Sequence, residues 1–181
     1  MANKQALRDL QTRLAERMKQ VRTETPGVSW LAVDCAGQGL LLSLKQAGEI
    51  FDLGLVLPVP HTQPGLAGVV NLRGGVFTVV DLAQFLGLRG STPQPSVRTP
   101  ASGQARLVAF NAALGINGAL LIDRLEGLRH AADLQADDDA ADAAVRPAFA
   151  LARWRDAAGR WWQEVDLAAL AQSPQFLAIT A

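Results

Sequence analysis

The chain has 181 residues, of which 49% are hydrophobic and 19% are charged. This length and balance suit a globular protein with one large domain or two small ones and a sizeable core. Seventeen basic and seventeen acidic residues give a formal net charge of zero, which argues against a dominant nucleic-acid or anionic-membrane surface because both need a positive excess.

The N-terminal segment, residues 1–25, is predicted to form a helical extension that ends before Pro26 and Gly27. Apolar residues recur along it at steps of three and four, with charges between them: Leu7, Leu10, Leu14, Met18 and Val21. Such a helix either packs on its own domain or binds a partner.

The sequence contains no obvious targeting or membrane segment. The N-terminal segment lacks the apolar core of a secretion signal, and no apolar run reaches the ~18 residues that a membrane span needs. The single cysteine, Cys35, cannot form an internal disulfide, which fits a reducing compartment. We therefore expect a cytoplasmic protein without direct membrane insertion, and a buried Cys35.

From Val28 onward, short apolar runs alternate with glycine and proline, which predicts strands rather than long helices. The runs are SWLAVD, GLLLSL, IFDLGLVLPV, LAGVVNL, GVFTVVDL, ARLVAF and GALLIDRL. GVFTVVDL is apolar on both faces, as expected for a strand that is covered on each side. The segment DLAQFLGL predicts one short helix, with Asp81 as its N-cap and Gly87 as its C-terminal stop.

Two stretches are predicted to be connections. Residues 89–105 contain three prolines among polar residues, which predicts a flexible connection. The charge run Asp137-Asp138-Asp139, within the acidic stretch DLQADDDAADAA, predicts a solvated loop, and a calcium loop is excluded because its alternating ligands and distal glutamate are missing. We assign the main domain to residues 26–173 and a C-terminal tail to residues 174–181.

The chain also contains an internal repeat. When residues 66–86 are shifted forward by 85 positions, Gly74 matches Gly159 and Asp81 matches Asp166. When the earlier strands are shifted by 77 positions, Ala32 matches Ala109 and Glu49 matches Glu126. Two similar β units in one chain predict duplicated small barrels that pack together.

No motif for catalysis, nucleotide binding or metal ligation occurs in the sequence. His61 and His130 have no partner at metal-ligand spacing, and neither a phosphate-binding glycine loop nor a nucleophile elbow is present. We therefore expect no enzyme activity, no catalytic residue, no cofactor, no metal and no nucleic-acid partner.

The clearest candidate for binding is Arg73, in the segment GVVNLRGGVFTVVDL. Gly74 and Gly75 follow it and permit a tight turn with close approach by another chain. Arginine presents a planar fork of donors and is enriched at interface hot spots. The alternative is a structural arginine that pairs with a carboxylate of its own domain or is merely solvated.

The segment LAGVVNLRGGVFTVVDLAQFLGL resembles the signature of the CheW-like domain family, whose members carry a Gly-Val-x-Asn-x-Arg-Gly turn, an apolar strand and then Asp-Leu. The resemblance extends from Trp30 to Leu170 and includes SWLAVDCAGQGLLLSL, Gly-Glu-Ile at 48–50, the 58–60 segment and ALLIDRLEGL. It implies a mainly β, CheW-like fold of two packed five-stranded, SH3-like β-barrel subdomains with short helices.

The resemblance also implies a function. Members of this family are non-enzymatic adaptors that hold the cytoplasmic tip of a methyl-accepting chemoreceptor and the regulatory domain of a CheA-type histidine kinase in one membrane-associated array. The N-terminal helix and the ending DLAALAQSPQFLAITA are more similar to the PilI type, which serves type IV pili and twitching motility. Three alternative functions stay open: flagellar chemotaxis coupling, the regulatory domain of a kinase, and a β module that binds a small ligand between its halves.

Carried over by motif, the resemblance implies partner contacts at eight positions: Glu49, Ile50, Asn71, Leu72, Arg73, Gly74, Leu107 and Val108. An apolar groove would receive helical side chains, with Arg73 and Glu49 at its rim. The second half has Arg155-Asp156-Ala157-Ala158-Gly159 in place of the Asn-x-Arg-Gly turn, so no contact role is transferred there. Of the adjacent Trp161 and Trp162, we expect one ring in the core, and exposure of the other toward a partner stays open.

Overall fold

The computed structural model describes residues 28–89, 103–137 and 146–180, and all structural statements concern these ranges. The predicted N-terminal extension, residues 1–25, lies outside the described residues. So do residues 90–102 of the predicted connection and Asp138 and Asp139 of the acidic stretch.

The described ranges are mainly β. Their strands are β1 (Ser29–Cys35), β2 (Gln38–Ser43), β3 (Ala47–Asp52), β4 (Leu66–Leu72), β5 (Gly75–Asp81), β6 (Arg106–Phe110), β7 (Gly118–Ile122), β8 (Arg124–His130), β9 (Leu134–Asp137), β10 (Ala150–Asp156) and β11 (Trp161–Val165). Their α-helices are α1 (Leu82–Phe85), α2 (Leu167–Gln172) and α3 (Pro174–Thr180), and short 3₁₀ turns span Ala112–Leu114 and Ala131–Asp133. None of the described helices is long and apolar enough to cross a membrane.

The strands form two sheets, which confirms the predicted fold class. One sheet has five strands in the order β3-β6-β7-β5-β4, and the other has six in the order β8-β1-β2-β11-β10-β9. The sixth strand is β9, which pairs antiparallel with β10. Its last residue, Asp137, is the first of the acidic run that the sequence predicted to be a solvated loop. That prediction is wrong for Asp137, because the buried Leu134 anchors this strand in the core.

The internal repeat is visible in the topology, but the two sheets are not the two halves of the chain. The five-stranded sheet combines β3, β4 and β5 with the β6–β7 pair from the second half. The six-stranded sheet combines the β1–β2 pair with strands of the second half. Each half therefore gives its first strand pair to the sheet of the other half. In each sheet one junction between the halves is parallel, β2 with β11 and β7 with β5, and the other is antiparallel, β1 with β8 and β3 with β6.

The buried residues form three clusters, because the central strands are covered on both faces. On β1, Leu31 and Val33 face a core shared by both sheets and the helices, whereas Trp30 and Ala32 face a separate core of the six-stranded sheet. On β5, Val80 belongs to the shared core and Val79 to a core of the five-stranded sheet. Such double covering matches the prediction from the apolar run GVFTVVDL.

The short helices are fixed by caps at the predicted places. Asp81 accepts a hydrogen bond from the Gln84 backbone N–H at 3.1 Å at the start of α1, and Gly87 follows its end with φ of +69°. The segment that the sequence set apart as a tail forms α3. Its Phe176 ring is 1% exposed and packs edge-on against Phe110, with ring centroids 5.5 Å apart. Residues 174–180 are therefore part of the packed domain.

Arg89, at the start of the predicted connection, is held by two carboxylates. Its guanidinium pairs with Asp81 at 3.2 Å and with Asp123. Asp81 is 1% exposed, so its charge needs this partner. Burial opposes the charge on Arg89, but the hydrogen bond to Asp123 and the charge of Asp81 together raise the pKa of Arg89. This cluster fixes the end of α1 to the β7–β8 junction.

Cys35 is buried beside this cluster, and its ionisation gives a pH-dependent prediction. Burial raises the pKa of the Cys35 thiol from 9.0 to about 12, and the charge of Asp123 adds to the shift. Between these values the unfolded chain loses a proton that the folded chain keeps, so raising the pH favours unfolding. The free energy of unfolding should fall by about 1.4 kcal/mol per pH unit above about 9 on account of this thiol.

Urea denaturation of the wild type and of Cys35→Ala, at about pH 8 and about pH 10.5, measures this contribution. The substitution lowers stability at both values, but the wild type should lose more on going to high pH. The chain has no tyrosine, so no phenol adds to the difference. Equal losses in the two proteins would contradict the prediction.

Candidate partner-binding surface

Arg73 and Gly74 form a two-residue turn between β4 and β5. Both have positive φ, +50° and +85°, as the tight turns of β-hairpins require. The side chain of Asn71 accepts a hydrogen bond from the Gly74 backbone N–H at 3.0 Å and so fixes the turn. For an arginine, left-handed backbone costs about 1 kcal/mol. The turn therefore displays this side chain at a position where glycine or asparagine would be less strained.

The Arg73 guanidinium forms an ion pair with Glu49 of β3. Because β3 and β4 are the outer strands of the five-stranded sheet, the pair links its two edges. The side chains remain 74% and 45% exposed, respectively, and exposed pairs of this kind contribute only about 0–1 kcal/mol to stability. Arg73 is therefore paired with a carboxylate of its own domain, as the structural alternative required, and is also presented to solvent.

The structure divides the eight predicted contact residues into two groups. Glu49, Asn71, Arg73 and Gly74 are exposed, and Ile50 is 38% exposed. The other three are buried in the cores: Leu72 at 8%, Leu107 at 0% and Val108 at 1% exposure. These three side chains cannot touch a partner while the sheet is intact, because Leu72 and Leu107 lie in the core of the five-stranded sheet and Val108 lies in the shared core. Their place is beneath the surface, where Val108 pairs with Ile50 in the strand register.

An exposed apolar strip adjoins the Arg73 turn, and the sequence analysis did not assign it to the site. Its members are Leu55, Leu57, Val59 and Val76, which are 65%, 54%, 39% and 64% exposed, respectively. Leu57 exchanges two backbone hydrogen bonds of 2.8 Å with Val69 of β4. Val76 lies opposite Asn71, so the strip reaches the turn.

A sequence signal for the strip existed in the alternation Leu53-Leu55-Leu57-Val59, since alternate residues of an extended segment share a face. The sequence analysis instead predicted one strand over IFDLGLVLPV. In the structure β3 ends at Asp52, and only an isolated bridge between Leu57 and Val69 follows. Pro58 and Pro60 lack N–H groups, which hinders the addition of another strand at this edge. The strip therefore offers side chains rather than backbone to a partner.

The corresponding turn of the six-stranded sheet is built differently. Asp156 takes the place of Asn71 in the repeat and accepts a hydrogen bond from the Arg160 backbone N–H at 2.9 Å. Its other oxygen accepts from the Trp162 indole N–H at 2.9 Å. This indole hydrogen bond is the main cause that lowers the pKa of Asp156. The aspartate is thus tied to the core ring of Trp162.

Arg160, which follows this turn, is directed into the protein. Its guanidinium pairs with Asp34 at 2.5 Å and with Glu126 at 3.3 Å, and it stacks over Trp162 at 4.5 Å from the ring centroid. Glu126 is the counterpart of Glu49 in the repeat. In each sheet this glutamate position therefore pairs with an arginine, Arg73 within one turn and Arg160 directly after the other. Only in the five-stranded sheet is that arginine largely exposed.

One of the two adjacent tryptophans lies in the core, as predicted. Trp162 is 1% exposed and belongs to the core of the six-stranded sheet, whereas Trp161 is 40% exposed. Arg153 and Arg155 stack over Trp161 at 5.0 and 5.2 Å from its ring centroid. Within the described ranges, no group of three or more histidine, cysteine or acidic side chains is arranged to hold a metal ion.

Residues 29–175, which contain both sheets and the Arg73 turn, match the family model of the CheW-like domain. The chain belongs to the CheW-like domain family. The predicted N-terminal extension, residues 1–25, precedes the matched region of this CheW-like protein. No curated protein matches the sequence at a significant level.

The CheW-like fold is supported independently by a solved structure. The scaffolding protein TtCheW from Thermoanaerobacter tengcongensis superposes with a TM-score of 0.62 over 82% of this chain and 95% of its own. The two sequences are 16% identical, so this similarity establishes the fold alone. The family predicted from the sequence is confirmed, and the PilI type within it stays a prediction.

Proposed function

We propose that this CheW-like protein is a non-enzymatic scaffold that couples a methyl-accepting chemoreceptor to a CheA-type histidine kinase. The family membership supports this role, and so does the structural similarity to TtCheW, which is a scaffolding protein. The observation that carries the proposal is the Arg73 turn. A strained arginine is displayed beside an exposed apolar strip, although its ion pair adds little stability.

The surface suits a helical partner. Side chains from one face of a receptor helix would lie on Ile50 and the apolar strip, and Arg73 and Glu49 would fix their register by charge. The side chains of Arg73 and Glu49 are already exposed to solvent. A partner can therefore reach them without unfolding of the sheet. Scaffold contacts of this kind are small, on the order of 1,000–1,200 Å² in total, and we expect micromolar affinity.

The central test is Arg73→Asn. Asparagine tolerates positive φ better than arginine, so the thermal midpoint should stay unchanged or rise slightly. Binding to a receptor cytoplasmic fragment should weaken by roughly tenfold or more, because truncating an interfacial arginine commonly costs more than 1.4 kcal/mol. Isothermal titration calorimetry measures the binding, with the kinase regulatory domain titrated separately to show which partner uses this surface.

Two further variants separate a contact role from a structural one. Arg160→Asn is the control from the other sheet, because Arg160 follows the corresponding turn and pairs with Glu126, the counterpart of Glu49 in the repeat. It should lower the thermal midpoint and leave receptor binding intact. The double variant Glu49→Arg/Arg73→Glu restores the internal ion pair with reversed charges. Full receptor binding by the double variant would show that only the internal pair matters, and would refute the proposed contact.

We further propose that the array served is the one controlling type IV pili and twitching motility. The support is the resemblance of the N-terminal segment and the ending DLAALAQSPQFLAITA to the PilI type. Flagellar coupling agrees equally well with the family membership. Deleting the gene and assaying both behaviours distinguishes the two: loss of twitching with normal swimming supports the proposal, and the reverse result assigns the protein to flagellar chemotaxis.

A further inference from the structure

An apolar groove of about 840 Å³ lies between the six-stranded sheet, the end of α1 and α3. Its floor is formed by Leu40 and Phe149, which are 3% and 6% exposed. Phe85 and Ile179 line it as well and are half-buried. The rings of Phe85 and Phe149 are 6.0 Å apart, so part of the lining is aromatic. A volume of this size lies within the range of small-molecule sites, about 300–1,000 Å³.

The polar lining of the groove carries positive charge. It consists of Arg146, Arg153 and four glutamine side chains, and none of the described residues that line the groove is an aspartate or a glutamate. Both arginines have contacts within the protein, and Arg153 stacks over Trp161. A guanidinium has five N–H donors, so these contacts are compatible with binding a further anion. Arginine matches the geometry of a carboxylate particularly well.

The groove is separate from the Arg73 surface. The space around Gly65, just before β4, borders Ile179 and Phe85 of the groove lining, whereas Arg73 follows the far end of the same strand. Eight residues of extended chain at about 3.3 Å each place the two regions about 25 Å apart. A ligand in the groove would leave the Arg73 turn accessible.

The lining of the groove indicates what kind of ligand would suit it. Arg146 and Arg153 favour an anion, and the apolar floor favours a hydrocarbon. The ligand should therefore combine an apolar body with negative charge.

We propose that this groove binds a small amphiphile with one apolar chain and a carboxylate headgroup. The chain would lie on Leu40, Phe149 and Phe85, and the carboxylate would accept hydrogen bonds from Arg146 or Arg153. This site is separate from the Arg73 surface, so a ligand in the groove and a partner on that surface can be bound together.

Decanoate tests the proposal, with decanol as the uncharged control and acetate as the control without a chain. Calorimetry on the full-length protein, below the micelle-forming concentration, should show saturable 1:1 binding of decanoate. Decanol and acetate should each bind at least about tenfold more weakly, because each lacks one of the two recognised features. Changes in tryptophan fluorescence should accompany decanoate binding, since Trp161 lies beside Arg153.

Three variants locate the site. Arg153→Gln should weaken decanoate binding about tenfold, whereas Arg129→Gln should not, although Arg129 also stacks on a tryptophan, Trp162. Ala178→Trp fills the groove from the exposed side of α3 and should abolish binding without disturbing the core. Absence of decanoate binding, equal binding of decanol, or equal effects of the two arginine variants would overturn the proposal.

Discussion

Replacing Asp81 with alanine should lower the free energy of unfolding by about 3 kcal/mol. The substitution removes the N-cap of α1, which is typically about 1 kcal/mol, and it removes one carboxylate partner of Arg89. Breaking a buried pair costs about 3–5 kcal/mol, but Arg89 is 28% exposed and keeps Asp123, so the loss is smaller here. For a chain of this length the thermal midpoint should fall by about 6–12 °C.

Asp166→Ala provides the matched control from the other half of the repeat. Asp166 caps α2 through the Ala168 and Ala169 backbone N–H groups at 2.9 and 3.1 Å, and its side-chain partner is the neutral amide of Gln46. The expected loss is about 1–2 kcal/mol, because no charge pair is broken. Equal losses in the two variants, measured by urea denaturation, would show that the pair with Arg89 contributes nothing.

Gly68→Ala should be at least as damaging, and it should also reduce partner binding. A Cβ at this position would lie 2.1 Å from the Leu57 carbonyl oxygen, and the φ of Gly68 is +140°. The neighbouring atom belongs to the backbone, so the clash can be relieved only by moving the Leu55–Val59 segment away from β4. We expect a loss of more than about 3 kcal/mol, with displacement of the apolar strip.

Gly87→Ala separates the clash from the backbone strain. Gly87 also has positive φ, +69°, but no atom lies within 4 Å of its added Cβ, so about 1 kcal/mol should be lost. Thermal denaturation compares the stabilities, and calorimetry on the folded fraction compares receptor binding. If Gly68→Ala behaves like Gly87→Ala in both measurements, the close packing of Leu57 on β4 does not hold the strip in place.

Much of the fold follows from local sequence. The runs SWLAVD, LAGVVNL and ARLVAF are strands, because alternate apolar residues of each run fill a core. The pairing of these strands does not follow. The repeat suggested two consecutive units, yet β2 pairs with β11 and β7 with β5. Since both halves carry similar apolar patterns, either half could satisfy the same faces, and the pattern alone does not select the partner strand.

The site was predictable to a similar degree. The Asn-x-Arg-Gly motif located the turn, and Glu49 was found by resemblance, although the two lie on opposite edges of the sheet. Leu107 and Val108 were assigned to the surface because an apolar strand in a groove and one in a core have the same composition. Only their burial in the two cores on the opposite faces of β6 distinguishes the two cases. The strip was missed because its leucines were absorbed into a predicted strand.

The exchange of strand pairs between the two sheets has a consequence for synthesis of the protein. Trp30 donates a hydrogen bond to Glu164, 134 positions later, and Asp34 pairs with Arg160, 126 positions later. During synthesis, β1 and β2 therefore cannot complete their sheet until β8 and β11 have left the ribosome, so neither half of the chain can fold fully as it emerges. Contacts this distant slow folding. A nascent chain halted after β5 carries two orphan strands whose apolar faces only the missing half can cover.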